Sequence, residues 1–209
     1  MVTVVGIGPG HPDYITPAAV KRIGEAQVLI GGKRVLEAVD RAGKEIHEAT
    51  ADIDSIIRTI EDNRDKNTVV LVSGDPGFYS MLQTIRRKSP HLPIDVVPGI
   101  SSVQVLFSLI AQEWQDIAFT SVHGRAINEL DKTIRDNKKI CILTDDKITP
   151  AVIGRYLAAL DINGRAVVGR NLSYPDQELI DTTIDKLAGL GGLEQCVLYV
   201  EVTDEQVTR

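Results

Sequence analysis

The stretch Thr68-Val69-Val70-Leu71-Val72-Ser73-Gly74-Asp75-Pro76-Gly77-Phe78-Tyr79-Ser80 decides the reading of this chain. From Thr68 to Val72 the run is almost wholly apolar and mostly β-branched. A strand that is apolar on both alternating faces is buried on both, as in a parallel sheet with helices on either side. The run stops abruptly at Ser-Gly-Asp-Pro-Gly, and Phe78 to Arg87 then reads as a helix. Pro76 suits a first helical turn, where its missing N–H leaves nothing unpaired. Gly74 and Gly77 let the backbone turn sharply and come close to a ligand. Open α/β sheets bind ligands just beyond the carboxyl ends of their strands. This loop lies at such an end, with exposed amides and one carboxylate; an ordinary β-to-α connection is the plainer reading.

The N-terminal run Val2-Thr3-Val4-Val5-Gly6-Ile7-Gly8-Pro9-Gly10 is a strand entering a glycine-rich turn. It does not make a dinucleotide fingerprint. That pattern needs glycine where His11 stands and an acidic residue after the next strand, where the chain has Gly31-Gly32-Lys33-Arg34. Pro9 also removes an amide that a phosphate would use.

Around these loops strands and helices alternate. Helices are expected over Thr16–Glu25, Arg34–Asp40, Asp52–Asp62 and Val103–Ile110, and strands over Gln27–Ile30, Lys44–His47 and Leu92–Val97. Thr16-Pro17 reads as a helix cap and first position. Ile53, Ile56, Ile57 and Ile60 carry the spacing of a buried helical face. This order implies a mainly parallel sheet. Residues 111–116 are short and polar and read as a linker. A second set follows: strands Ile117–Ser121, Lys139–Leu143, Arg165–Gly169 and Cys196–Val202, and helices Ile127–Asp136 and Pro150–Leu160, with Thr149 as a cap. Glu178–Leu187 fits strand and helix equally. The expectation is α/β throughout, with two α/β domains, 1–112 and 117–209.

Composition narrows the class. Of 209 residues 43% are hydrophobic and 25% charged, as in a soluble globular protein. The net charge of −6 argues against a broad nucleic-acid surface, though not against an anionic ligand held by a few local cations. No basic n-region precedes an apolar h-region and no apolar run nears membrane-spanning length, so the chain is expected to be neither secreted nor membrane-spanning. Cys141 and Cys196 fall inside expected strands without metal-ligand spacing, which fits reduced core residues of a cytoplasmic protein, and no metal site is expected.

Four elements in this order and spacing resemble the tetrapyrrole (precorrin/corrin) methyltransferase family. They are Gly6-Ile7-Gly8-Pro9-Gly10, Ser73-Gly74-Asp75-Pro76 after a strand, Pro98-Gly99-Ile100-Ser101-Ser102, and a second α/β half. Gly31-Gly32-Lys33-Arg34 and Ser121-Val122-His123-Gly124-Arg125 narrow the resemblance to the cobalamin-pathway branch that methylates C5 of a late precorrin. Some members of that branch are fused to a C15-methylating decarboxylase; this chain resembles the stand-alone form, with a separate decarboxylase as an implied partner. The family implies S-adenosylmethionine as methyl donor, bound folded in a cleft between two α/β domains, a corrinoid or precorrin substrate, and a homodimer.

By that resemblance Pro9, Ser73, Gly74, Asp75 and Phe78 line the cofactor site. Ser101 and Ser102 join them, with Thr144, Asn171 and Leu172 from the second half. Asp75 is read as a partner for a ribose or ammonium group, or as a cap for the Phe78 helix. Methyl transfer from a sulfonium to a conjugated macrocycle is a displacement in which the macrocycle is the nucleophile. Positioning is then the main task, and no Ser-His-Asp constellation suggests a covalent step. His123 is the candidate catalytic base, since histidine titrates near neutral pH, and a candidate substrate contact. A polycarboxylate substrate calls for local cations, for which Arg125, Lys33 and Arg34 are the candidates, with solvated surface charge as the alternative. Methylases of other precorrin positions, ribosomal-RNA ribose methyltransferases and diphthine synthases share the architecture. A non-catalytic binding module on the same fold is a different class again.

Overall fold

In the computed structural model, which describes residues 1–203, the chain opens with Val2–Gly6 (β1), buried along its whole length. There follow Pro17–Gly24 (α1), Val28–Gly31 (β2), Lys33–Glu37 (α2), Glu45–Glu48 (β3), Ile53–Asp62 (α3), Thr68–Val72 (β4), Met81–Lys88 (α4) and Ile94–Val97 (β5). The strands form one sheet in the order β3-β2-β4-β1-β5, and every pairing in it is parallel. The chain divides into two compact units, and this sheet lies in the first, Met1–Ser102.

The all-apolar run is explained by what covers it. Val70 and Val72 of β4 join Ile56 and Ile60 of α3 and Ile85 of α4 in one cluster. Val69 and Leu71 point the other way, into a cluster with Ala19 and Ile23 of α1 and Leu36 of α2. Each such side chain contributes about 1.5–3 kcal/mol when fully buried, and β4 commits every residue to one face or the other. The expected Thr16 cap is present, its Oγ1 accepting the Ala19 N–H at 3.2 Å, and Asp52 Oδ1 caps α3 by accepting that of Ser55 at 3.0 Å.

The expected helix over Arg34–Asp40 ends early, at Glu37, and one further boundary shifts at its start. The helix expected from Phe78 starts at Met81, and Pro76 lies outside it. Asp75 Oδ1 captures the Gly77 N–H at 2.8 Å, and the Phe78 N–H turns back to the Asp75 carbonyl. Tyr79 is then left-handed, at φ 47°, and Ser80 is extended before the helix begins. A local side-chain bond to the backbone outcompetes the first helical turn.

The second unit, Val103–Arg209, is described to residue 203; residues 204–209, included in the expected C-terminal domain, lie outside the described residues. Its elements are Ser102–Leu109 (α5), Ala118–Ser121 (β6), Leu130–Asp136 (α6), Lys139–Leu143 (β7), Pro150–Ala159 (α7), Gly164–Arg170 (β8), Glu178–Thr183 (β9), Ile184–Leu187 (α8) and Val197–Val202 (β10). The sheet order is β6-β7-β10-β8-β9, and only β6 and β7 run parallel. The loop 171–177 carries no helix, so β8 and β9 close as an antiparallel pair; a parallel return needs a crossover of a dozen residues or more. Glu178–Leu187 resolves into strand and then helix. Leu198, Val200 and Val202 of β10 face the main core. On the opposite face of β10, Tyr199 meets Phe107 of α5 edge-on at 5.4 Å, and its hydroxyl accepts from Gln112 Nε2 at 2.7 Å.

Candidate active site

At the carboxyl edge of the parallel sheet the loops after β1, β4 and β5 are tied into one knot. The Ile7 N–H donates to the Val72 carbonyl at 3.0 Å, and the Gly74 N–H to the Gly8 carbonyl at 2.8 Å. Gly8 and Gly74 thus form an isolated antiparallel bridge beyond the ends of two parallel strands. The backbones approach so closely that side chains cannot enter. A Cβ on Gly6 would lie 2.8 Å from the Gly99 nitrogen, and one on Gly99 would lie 2.8 Å from the Gly6 carbonyl carbon. Gly74 is glycine for another reason, its φ of +64°.

Asp75 closes the knot. While Oδ1 holds Gly77, Oδ2 accepts the Gly99 N–H at 3.1 Å. Both oxygens therefore serve backbone, and the carboxylate spans the loops after β4 and β5. Ser73 is exposed, whereas Pro9, Gly74, Asp75, Phe78 and Ser102 are half-buried and Ser101 is buried. Ser101 lies against Gly74: its Cα would be 3.7 Å from a Cβ placed there. Lys33 and Arg34 open α2 just after β2, the neighbour of β4, and are exposed on the same edge. All the residues expected from the first half thus come to one edge of one sheet.

In the second unit the carboxyl ends of β6, β7 and β8 and the start of β10 share an edge, since Leu143 pairs with Ser121 and Val197, and Val197 with Gly169. Three of the expected residues follow those ends. Thr144 is buried, and its hydroxyl exchanges bonds with Cys196, accepting the N–H at 2.7 Å and donating to the carbonyl at 3.1 Å. Asn171 is left-handed, at φ 46°, and donates from Nδ2 to Asp176 at 2.7 Å. Leu172 is buried, with both its terminal methyl groups against Gly169. These three shape the edge with side chains turned to the fold, so what they offer a ligand is backbone. The side chains of His123 and Arg125 stand in an exposed loop, held by the Arg125 N–H on the Val122 carbonyl at 3.0 Å.

Asp145 is the residue that sequence reasoning passed over. Its Oδ1 accepts the N–H groups of Lys147 at 2.8 Å and Ile148 at 2.6 Å, and its carboxylate also accepts that of Gly124. Burial pushes this carboxyl up, but those N–H groups, with His123 nearby, hold it below the usual carboxylate range. A strand ending in Thr-Asp-Asp was the only signal.

The chemistry on offer is backbone donors and acceptors, a few hydroxyls, a bridging carboxylate and exposed cations. Among the described residues no group of His, Cys, Asp and Glu is placed to hold a metal ion, and no helix is long and apolar enough to cross a membrane. A shallow groove of about 610 Å³ at Asn163–Arg165 and Asp181–Thr183 lies at the other end of β8. Its arginine is already matched: Arg165 forks onto Asp181 at 3.1 and 2.8 Å.

Residues 1–188 match the profile of the tetrapyrrole (corrin/porphyrin) methylases. The chain is 35% identical over 180 residues to the cobalt-precorrin-7 C(5)-methyltransferase of Salmonella typhimurium, covering 86% of this chain and 89% of that one. The fold is similar to that of the methyltransferase CobJ, with a TM-score of 0.80 and 21% identity over 97% of this chain and 94% of that one. It is also similar to uroporphyrin-III C-methyltransferase from Thermus thermophilus, solved with S-adenosyl homocysteine, with a TM-score of 0.75 and 19% identity over 96% of both chains.

Proposed function

The chain belongs to the tetrapyrrole (corrin/porphyrin) methylase family, and on that premise we propose that it transfers a methyl group from S-adenosylmethionine to C5 of cobalt-precorrin-7 in cobalamin biosynthesis. The observation that carries the ring position is the similarity to the Salmonella enzyme across most of both chains. The glycine knot supports the donor. S-adenosylmethionine has no phosphate, and the knot offers no phosphate cradle, since Pro9 lacks an amide and the Gly74 N–H is engaged by Gly8. It offers instead exposed Ser73, the backbone of Gly74 and Asp75, and half-buried Phe78.

When bound, the donor supplies an electrophilic methyl group on sulfonium sulfur. The S–CH3 bond breaks with its electron pair going to sulfur, a C–C bond forms at the meso carbon, and a proton then leaves the macrocycle. In this reading the protein holds carbon and methyl in line, a contribution of up to about 7–11 kcal/mol when alignment is best. His123 is assigned to receive the proton; Arg125, Lys33 and Arg34 are assigned to the substrate carboxylates. Pro9, Ser73, Gly74, Asp75, Phe78, Ser101 and Ser102 are assigned to the donor, with backbone of Thr144, Asn171 and Leu172. The protein works in the cytoplasm as a homodimer, with a separate C15-methylating decarboxylase acting in the same pathway.

The test supplies methyl-labelled donor with cobalt-precorrin-7, with ribosomal RNA and with the modified-histidine protein substrate of diphthine synthases. Label in the corrinoid alone supports the proposal. Label in RNA or protein assigns the fold to another substrate, and the absence of any heat on titration with the donor makes the chain a binding module.

A further inference from the structure

The chain has one tryptophan, five tyrosines and three phenylalanines, and of these only Tyr14, Tyr79 and Trp114 are exposed. Two of the three flank the glycine knot. The backbone of Tyr14 lies against Gly8, where an added Cβ would be 2.9 Å from the Tyr14 carbonyl oxygen. Tyr79 follows the Ser-Gly-Asp-Pro-Gly turn, five residues beyond Gly74 of the Gly8–Gly74 bridge. Its backbone is left-handed at φ 47°, while the residue stays 46% exposed. A turn with no other task would place glycine or asparagine there, because a bulky side chain is strained in that conformation. This one is not repaid by core burial. The Phe78 ring, edge-on at 4.8 Å and 80°, props the Tyr79 ring. Strain on an exposed aromatic beside a ligand edge points to a contact made with the ligand.

We propose that Tyr79 is an apolar platform for the tetrapyrrole substrate on the first unit. The inference rests on the reading of the chain as a corrinoid methyltransferase and adds the surface that orients the macrocycle. Aromatic rings pack on conjugated and methyl-bearing surfaces without needing a fixed hydrogen-bond pattern. Lys33 and Arg34, at the end of the neighbouring strand, are exposed on the same edge for peripheral carboxylates. An aromatic platform beside cations matches a ligand with an apolar ring and a charged rim.

Removing the ring while keeping the backbone conformation separates this role from a structural one. Tyr79→Gly and Tyr79→Asn both tolerate the left-handed backbone, so their melting temperatures equal or exceed that of the parent. Their affinity for cobalt-precorrin-7 falls at least about fivefold, and affinity for S-adenosylmethionine stays within about twofold. Tyr79→Phe keeps both. The proposal is overturned if both small variants bind the corrinoid like the parent, if they lose the donor instead, or if their melting temperatures drop. A parent protein that binds S-adenosylmethionine but no cobalt-precorrin-7 overturns the underlying reading, and this inference with it.

Discussion

The Asp75 carboxylate, at the end of β4, accepts the backbone N–H of Gly99, at the end of β5, across 3.1 Å. Between those strands lies β1, so this one bond closes the knot over the middle of the sheet. With Oδ1 on Gly77, one side chain sets the shape of two loops. Hydrogen bonds to a charged acceptor contribute about 1.5–3 kcal/mol each when well shielded, and Asp75 is half-buried.

Asp75→Ala is therefore expected to lower stability by about 1–3 kcal/mol and to weaken S-adenosylmethionine binding. Asp75→Asn, which keeps one oxygen acceptor, recovers part of both losses. Urea denaturation and calorimetry on the two variants check this; a stable alanine variant with full donor affinity contradicts it.

Gly74→Val separates fold from ligand. There is room for a Cβ, since its nearest neighbour would be Ser101 Cα at 3.7 Å, but φ is +64°. A left-handed non-glycine residue costs about 1–2 kcal/mol, which a folded domain of 5–15 kcal/mol survives. The variant is expected to fold, as seen by circular dichroism, and to lose the donor in calorimetry. Unchanged donor affinity in the folded variant would falsify the placement of the cofactor at this turn.

Arg125→Ala is expected to weaken cobalt-precorrin-7 binding at least about tenfold, and Arg125→Lys to restore part of it, since lysine keeps the charge without the planar fork. Donor affinity stays within about twofold. Loss of the donor with the macrocycle retained would move Arg125 to the other ligand.

Asp145 predicts a pH dependence. Despite burial, its N–H partners hold the folded carboxyl below the usual range, so the unfolded chain, near about 3.9, binds that proton more readily. Its contribution to stability is complete above the unfolded value and is lost as pH falls through the folded one. Asp145→Asn should be less stable than the parent at neutral pH and lose less stability between neutral pH and about pH 3. Parallel stability curves for the two proteins would show that the carboxylate does not hold the 123–125 loop.

Much of this was legible in the residues. Both faces of β4 are apolar because both are covered, and periodicity reports that directly. Thr16 and Thr149 announced their helices, and Thr149 Oγ1 accepts the Val152 N–H at 3.4 Å. Phe78 misled because helix-compatible residues follow it, whereas Asp75 had already taken the Gly77 amide. The Asp75–Gly99 bond joins residues 24 apart in sequence, and no local pattern encodes such a contact. Thr144 and Leu172 show the same limit from the other side. The family resemblance implied ligand contacts at both, and the fold turns the Thr144 hydroxyl onto Cys196 and the Leu172 side chain onto Gly169. Tyr79 lies within the Thr68–Ser80 stretch, but its exposure and left-handed backbone exist only once the loop is folded.

The bond that is made decides the assignment. Cobalt-precorrin-7 incubated with the protein and isotope-labelled S-adenosylmethionine, then examined by mass spectrometry and nuclear magnetic resonance, measures it directly. The predicted product gains one CH2 unit, carries the labelled methyl on C5, and appears together with an equal amount of S-adenosylhomocysteine. A corrinoid recovered unchanged from a protein that binds the donor, or one labelled at another carbon, would contradict the assignment.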